Sequence, residues 1–176
     1  MRSKLIYSFV IAAVFFGTAA YERGLLATPA SGFSGSTIAK GRFEAIDVSS
    51  HVMRQFGDAT PQQDLWLSLQ KTKGPSDLYV QNNLWSVGGS TGWHTHPGHS
   101  LIIVTEGAVT AYEGDDSSCT PKEYTIGMGF VDPGGDHVHL LRNEGAVPAR
   151  TVAVQLLPAD AMRRIDAERP NGCLVF

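Results

Sequence analysis

Residues 88–99 read GGSTGWHTHPGH, and residues 133–139 read PGGDHVH. The two stretches hold five of the six histidines of the chain, namely His94, His96, His99, His137 and His139. Residues i and i+2 of a strand project from one face of a sheet, so each His-x-His pair directs two imidazoles the same way. Because neutral imidazole is the commonest metal ligand in proteins, the pairs predict a metal held between two strands that are distant in sequence.

Composition sets the class of protein. The chain has 176 residues, of which 43% are hydrophobic and 18% are charged, and this suits one globular domain with a core. A net charge of −3, without a run of basic residues, argues against nucleic acid as a partner. The sequence has no phosphate-cradling loop and no nucleophile elbow, which disfavours phosphoryl transfer and serine hydrolysis.

The first 20 residues have the pattern of a secretory signal peptide. Arg2 and Lys4 precede an apolar run over residues 5–20, which ends in small residues. Cleavage would leave a mature chain that starts near Tyr21. The alternative is an uncleaved membrane anchor, and both interpretations place the folded part in the periplasm or outside the cell.

The two cysteines suit an exported protein, because an even count in an oxidising compartment indicates a disulfide. A bond between Cys119 and Cys173 would tie the end of the chain to the domain. Closing a loop of this length is worth about 4 kcal/mol in the chain-entropy model. The alternative is two free thiols.

The pattern of strands predicts a β-sandwich or barrel. From residue 77 onward, short apolar runs alternate with glycine and proline turns, which is typical of such folds. Strands are predicted over residues 77–87, 101–112, 123–125, 129–131, 137–142 and 149–157. We expect a tight hairpin at Glu106-Gly107 and a short helix over residues 160–168.

The remaining segments give a division of the chain into four parts. A signal peptide (1–20) is followed by an N-terminal arm (21–49) with one strand around Phe43 and Ile46. A β-barrel (50–160) begins with an irregular stretch over residues 50–76, where Gly57 and Pro61 break regular structure. A C-terminal tail (161–176) completes the chain.

Both histidine stretches resemble the motifs of the cupin superfamily, over roughly residues 77–157. The first cupin motif is a glycine, five residues, His-x-His, a glutamate a few residues later, six residues and a glycine; Gly88, His94, His96 and Gly107 match it. The second motif is a glycine, five residues, Pro-x-Gly, two residues, a histidine, three residues and an asparagine. The residues that match it are Gly127, Pro133, Gly135, His139 and Asn143.

The chain departs from these motifs at two positions. The glutamate that usually supplies a metal ligand falls at Ser100, and the adjacent His99 would point to the opposite face of a regular strand. Three residues, rather than two, separate Gly135 from His139. Either a β-bulge absorbs the additional residue or His137 is the ligand.

The resemblance implies an all-β fold, a jelly-roll-like double-stranded β-barrel with histidines at its mouth. It also implies a divalent transition metal (Fe, Mn, Zn, Ni or Cu) bound by His94, His96 and His139, with His99 or His137 as a fourth ligand or a supporting group. Cupins are often homodimers that exchange N-terminal strands, so the arm suggests a homodimer. Without the carboxylate, the site would favour an anionic substrate.

The sequence leaves three functions open. The first is a metal-dependent enzyme, dioxygenase-like, that acts on a small organic substrate. The second is a non-catalytic module that binds a small ligand or a metal, and the third is a metal-dependent isomerase or lyase.

Other polar and aromatic residues near the motifs have simpler interpretations. Trp93, Tyr112 and Phe130 are candidates for the wall of a pocket, although aromatic residues in a small barrel are more often core. Asp132 and Asp136 are expected to be exposed turn residues, and Glu106 is expected to be solvated.

Overall fold

The computed structural model describes residues 27–53 and 65–173. The predicted signal peptide lies outside them. Within these ranges the chain is all-β and has no helix. The described residues therefore contain no helix that could cross a bilayer. The strands are β1 (Ser31–Phe43), β2 (Asp47–Met53), β3 (Leu65–Lys71), β4 (Ser76–Ser90), β5 (His94–Thr95), β6 (Ser100–Glu106), β7 (Ala108–Glu113), β8 (Lys122–Thr125), β9 (Gly129–Asp132), β10 (His139–Arg142), β11 (Ala149–Pro158) and β12 (Ile165–Asp166).

Ten of these strands form one antiparallel sheet with two halves. In the first half the strand order is β1-β4-β11-β6-β9, and in the second half β5 and β7 flank β10, with β12 beyond β5 and β8 beyond β7. Strand β4 joins the halves, because it pairs with β1 and β11 along most of its length and with β10 at Ser90. The sheet is therefore nearly closed, as the predicted jelly-roll-like barrel requires.

Alternation along the strands decides what lies inside the barrel. In β6, Ser100, Ile102 and Val104 are buried, whereas the residues between them are exposed. The period of two is that of a strand with one face on the core. One cluster of buried side chains comprises Trp85, Val104, Val109, Ala111, Leu141 and Ala149. A second cluster comprises Trp93, Tyr112, Leu140 and Cys173.

The prediction of a tight hairpin at Glu106-Gly107 was wrong. Strand β6 pairs with β11 and β9, whereas β7 pairs with β10 and β8, so the chain crosses from one half of the sheet to the other at this point. Gly107 has φ +64°, and a Cβ there would lie 2.6 Å from the carbonyl oxygen of Pro148. Glycine is needed for this corner as it would be for a turn, so the local sequence does not distinguish the two.

Two other segments correct the expectations. Residues expected to be irregular between 50 and 76 contain most of a two-stranded hairpin, in which Asp47 pairs with Lys71 and Met53 with Leu65. The strand expected around Phe43 and Ile46 is instead the end of β1, and Ile46 lies between β1 and β2. The arm pairs with β4 in this chain over most of β1.

The helix expected over residues 160–168 is also absent. The segment is extended, and its two-residue strand β12 pairs with β5, the strand of the first histidine. The backbone of Ala167 also donates to Trp93 O at 3.0 Å. Sequence reasoning overlooked these pairings because they are long-range, and polar residues between two prolines resemble a short surface helix.

The structure joins Cys119 and Cys173 by a disulfide, with their Cα atoms 5.0 Å apart. Cys119 lies in the connection between β7 and β8, and Cys173 is buried beside Trp93. The bond fixes the chain that follows β12 to the second half of the sheet. Disulfides persist in oxidising compartments, which gives a weak indication that the protein works in one.

Candidate metal centre

Three imidazoles meet where β5 and β10 lie side by side. His94 on β5 pairs in register with His139 on β10, and His96 follows β5 directly. The ring centroid of His94 lies 4.8 Å from that of His96 and 4.4 Å from that of His139. One nitrogen from each ring lies within 4.8 Å of the other two. The structure thus brings together the three histidines that the motifs indicated.

Backbone carbonyls orient these rings, His139 through a long contact of 3.4 Å between its Nδ1 and His137 O and the other two at shorter distances. His94 Nδ1 is 2.9 Å from Gly92 O, and His96 Nδ1 is 2.5 Å from Arg163 O. A carbonyl oxygen only accepts, so Nδ1 must be the donor in both rings and Nε2 keeps its lone pair in the neutral tautomer. This is the usual support for a metal-binding histidine, whose second nitrogen is held by a hydrogen bond.

Burial keeps these imidazoles in the form that a metal needs. The exposed fractions of His94 and His139 are 4% and 5%. Burial lowers the pKa of His94 well below its usual value, and a proton on the neighbouring His139 would lower it further. Burial also lowers the pKa values of His96 and His139. All three rings are therefore neutral at pH 7, with nitrogen lone pairs to offer.

A carboxylate lies beside two of these imidazoles, those of His96 and His139, and it was not expected there. Asp132, at the end of β9, is only 4% exposed, so the prediction that it is an exposed turn residue was wrong. Its Oδ2 is 3.4 Å from His96 Nε2, and its Oδ1 is 3.6 Å from His139 Nδ1. The neighbouring Asp136 is exposed, as expected.

Asp132 lies beside position 100, where the glutamate of the first cupin motif is missing. Strands β6 and β9 pair Ser100 with Asp132, and the Ser100 hydroxyl lies 3.5 Å from Asp132 Oδ2. The Gly134 amide donates to Asp132 Oδ1 at 2.9 Å, and a Cβ at Gly134 would collide with the carbonyl oxygen of Gly98. The turn after β9 thus holds the carboxylate on the face where position 100 would have placed one.

This turn also accommodates the additional residue between Gly135 and His139. Gly134 and Gly135 have φ +68° and +67°, and β10 begins only at His139. The predicted strand over residues 137–142 is therefore shorter by two residues. The irregular turn, rather than a bulge within a strand, leaves His139 facing His94.

The remaining two histidines of the motifs are placed differently. His137 forms a group with Asp132 and His139, but its Nε2 is 2.9 Å from Glu113 Oε2. His99 lines a separate surface depression beside Pro75 and Leu156. Neither residue belongs to the cavity beside His94, so they do not join its three-histidine group.

A cavity of about 290 Å³ opens beside the group. The side chains that line it include His94, His96, His139, Asp132, Ser100, Arg163 and Arg164. The predicted wall residues Trp93 and Tyr112 belong instead to the second core cluster, and Phe130 packs against the first. Glu106 is exposed and pairs with Arg150 at 3.1 Å, as expected for a solvated residue.

Residues 163–166, which we call the rim segment, were overlooked by sequence reasoning. The Arg163 carbonyl receives the hydrogen bond from His96, and Asp166 pairs in register with His94. Nothing in the local sequence of the rim segment indicates these contacts. The only sequence signal is a pair of adjacent arginines in an otherwise acidic chain.

The donor set fits a divalent transition metal. Three neutral imidazoles suit Fe, Zn, Ni or Cu, and a carboxylate beside them is common at iron and manganese sites. Two ligands with bonds of about 2.1 Å to one ion lie about 3.0 Å apart in octahedral and about 3.4 Å apart in tetrahedral geometry. The 3.4 Å between His96 Nε2 and Asp132 Oδ2 agrees with that range.

The family model of the cupin domain matches residues 84–155, which include both histidine motifs. None of the curated proteins matches the sequence. Solved structures with similar backbones include a polyketide cyclase, RemF, from Streptomyces resistomycificus (20% identity, 53% of this chain, 63% of that chain, TM-score 0.43). Others are a cupin domain from Bordetella pertussis (20%, 45%, 80%, 0.39) and an oxalate oxidase (20%, 47%, 46%, 0.40). The chain thus spans about half the length of the oxalate oxidase.

Proposed function

Since residues 84–155 form a cupin domain, we propose that this protein binds one divalent transition metal through His94, His96, His139 and Asp132. The observation that carries the proposal is the convergence on one cavity of two buried imidazoles, the partly buried imidazole of His96 and one buried carboxylate. Burying these polar groups together costs free energy that an ion bound among them would offset.

We further propose that the metal centre is that of a dioxygenase acting on a small organic substrate. Three imidazoles and one carboxylate leave coordination positions free on a six-coordinate ion, and the cavity adjoins them. When bound, an iron or manganese ion there would supply the redox chemistry that activates O₂. Insertion of both oxygen atoms into the substrate needs no separate reductant, so no further cofactor is required.

In such a reaction the residues of this chain would bind and orient. Gly92 O and Arg163 O hold the His94 and His96 rings in place, and Ser100 and Gly134 hold the carboxylate of Asp132. The buried side chains of Ile102 and Leu141 line the cavity and exclude water from part of it. Ligands fixed in this way lose little entropy when an ion or a substrate arrives.

Export is the second part of the proposal. The segment at residues 1–20 has the pattern of a signal peptide, and a disulfide between Cys119 and Cys173 suits the periplasm or the exterior of the cell. We propose that the protein works there as a mature chain that begins near Tyr21.

Elemental analysis of the purified protein, prepared without a histidine tag, tests the metal site. We expect close to one equivalent of a transition metal, and a loss of more than 90% of it in the His94→Ala/His96→Ala variant. The matched control is His51→Ala/His99→Ala, which also removes two imidazoles but from outside the group. Retention of metal by the first variant, or equal loss from both, would contradict the proposed ligands.

A further inference from the structure

The rim segment places two arginines at the cavity by backbone contacts. Ile165 and Asp166 pair with Thr95 and His94, and the Arg163 carbonyl accepts from His96 Nδ1. Arg164 lies between these contacts, so its Cα is held beside the histidine strand. Both Arg163 and Arg164 line the cavity. The backbone of the rim segment is thus fixed to the barrel, although it belongs to the C-terminal part of the chain. Both arginine side chains therefore start from fixed positions beside the cavity.

The guanidinium of Arg164 has an unused buried donor. Its Nε donates to Asp166 Oδ1 at 2.6 Å, which satisfies one edge of the group. Its Nη2 is buried and, among the residues that the structure describes, has no hydrogen-bond partner. A buried donor of a charged group without an acceptor is costly, so this nitrogen calls for an acceptor from outside the described part of the chain.

Arg163 adds a second positive charge that neutral groups hold in place. Its Nε donates to Gln155 Oε1 at 3.2 Å and its Nη1 to Thr37 Oγ1 at 2.9 Å. The guanidinium also lies 4.3 Å from the centre of the Tyr79 ring. These partners orient the group without supplying a negative charge, so the cavity keeps a positive wall.

The rest of the cavity combines apolar surface with two more unpaired polar atoms. Phe33, Ile102 and Leu141 supply apolar lining. The lining residues Asn83 and Trp85 each have a buried polar atom, Oδ1 and Nε1, that lacks a partner within the described part of the chain. An occupant with an apolar body and a few polar substituents would match this lining.

We propose that Arg164 is the receptor for the carboxylate of a small organic acid, with Arg163 adding long-range attraction. A guanidinium presents forked donors that match a carboxylate, and the volume of about 290 Å³ suits an acid with a single ring or a short chain. The inference rests on the proposed function, because it names the substrate class of the same cavity. A carboxylate that instead bound the metal alone would not depend on Arg164.

Isothermal titration calorimetry with matched acids and amides tests the receptor. The zinc-loaded full chain is titrated with benzoate and benzamide, and with butanoate and butanamide, so that each pair differs mainly in charge. We expect an acid to bind the wild type and to bind Arg164→Gln at least tenfold more weakly. The affinity for the matching amide should not change. The control is Arg150→Gln, an exposed arginine paired with Glu106 outside the cavity.

Arg164→Lys is the second variant, since it keeps the charge but loses the fork. We expect its affinity for the acid to lie between those of the wild type and Arg164→Gln. If the glutamine variant does not fold, the lysine variant tests whether Arg164 binds the carboxylate. The proposal is overturned if neither acid binds more tightly than its amide, or if the variants bind the acids like the wild type. Repeating the titrations on metal-free protein separates the proposed metal site from the proposed receptor at Arg164. Dependence on Arg164 there would support the receptor even if no metal is retained.

Discussion

Among the residues that the structure describes, two carboxylates are buried, and their surroundings differ in charge. Asp77, at the start of β4, is 0% exposed. Arg42 donates to both of its carboxylate oxygens, from Nε to Oδ1 at 2.8 Å and from Nη2 to Oδ2 at 2.9 Å. Lys40 adds a third cationic contact at 3.1 Å. Asp132 is almost as buried, but the titratable side chains that approach its carboxylate among the described residues are the imidazoles of His96 and His139.

The difference distinguishes a structural carboxylate, Asp77, from Asp132, which we propose binds the metal. A buried charge requires compensation, and permanent cations provide it for Asp77 within the fold. Imidazoles that burial keeps neutral provide little for Asp132. An ion from solution would supply the missing positive charge, which is why we assign Asp132 to the metal and Asp77 to stability.

Replacing Asp132 with Asn should have the largest effect on metal binding. Loss of a residue that merely supports a metal ligand lowers affinity about 10- to 100-fold, so the loss of a carboxylate ligand should reach at least about 100-fold. Competition with a chromophoric chelator measures the change. Asp136→Asn, in the same turn but exposed, should bind metal like the wild type. Equal affinities of the Asp132→Asn variant and the wild type would refute the assignment.

The strand pairing allows the carboxylate to be moved. Ser100 lies directly opposite Asp132, so Ser100→Glu in the Asp132→Asn background places a carboxylate on the other strand of the pair. We expect this double variant to recover at least tenfold of the lost affinity. Recovery would show that the site needs a negative charge at this place, whereas no recovery would indicate that Asp132 only shapes its turn.

Asp77→Asn should affect stability and leave metal affinity unchanged. The hydrogen bonds from Arg42 hold the pKa of Asp77 below its usual 3.8, so its contribution is complete above about pH 4 and is lost as the pH falls toward the folded-state pKa. The melting temperature of the variant should therefore lie several degrees below that of the wild type at pH 7, and closer to it at pH 3. Asp47→Asn, which breaks an exposed ion pair with Lys71, should change little. A pH-independent difference would argue against this account.

The last prediction concerns the histidines in metal-free protein. Burial lowers the pKa values of His94, His96 and His139, so the unfolded chain binds protons at these rings before the folded chain does. Their contribution to stability is complete above pH 6.5 and is lost as the pH falls below it, by up to about 1.4 kcal/mol per pH unit for each ring. Urea unfolding at pH 7 and pH 5.5 measures the slope, and bound metal should make it steeper. Equal stabilities at the two pH values would contradict the burial of neutral rings.

The sequence was sufficient for the barrel and for the three histidines that the structure brings together. His94, His96 and His139 were predictable because strand periodicity and fixed motif spacing are local properties. The strands that contain Ile102, Tyr124 and Ala153 were predictable for the same reason, since apolar alternation and turn residues delimit them. These features needed no knowledge of which strand lies beside which.

The residues that were missed depend on such neighbours. Asp132 precedes Pro133-Gly134, a sequence typical of an exposed turn, and only the pairing of β6 with β9 shows that it faces the site. Gly107 suits a hairpin and a corner equally well. Arg164 becomes part of the cavity because β12 pairs with β5, a contact between residues about 70 positions apart.

The disulfide between Cys119 and Cys173 gives the rim segment a covalent tether. The segment is otherwise held by the short pairing of β12 with β5 and by single hydrogen bonds such as that from His96 to Arg163. The proposed metal ligands lie on β5, β9 and β10 and at the residue that follows β5, outside the two segments that the disulfide joins. Reduction of this disulfide would therefore destabilise the rim segment, with Arg163 and Arg164, more than the proposed metal site. The affinity for an anionic ligand would then depend on the redox state of the surroundings.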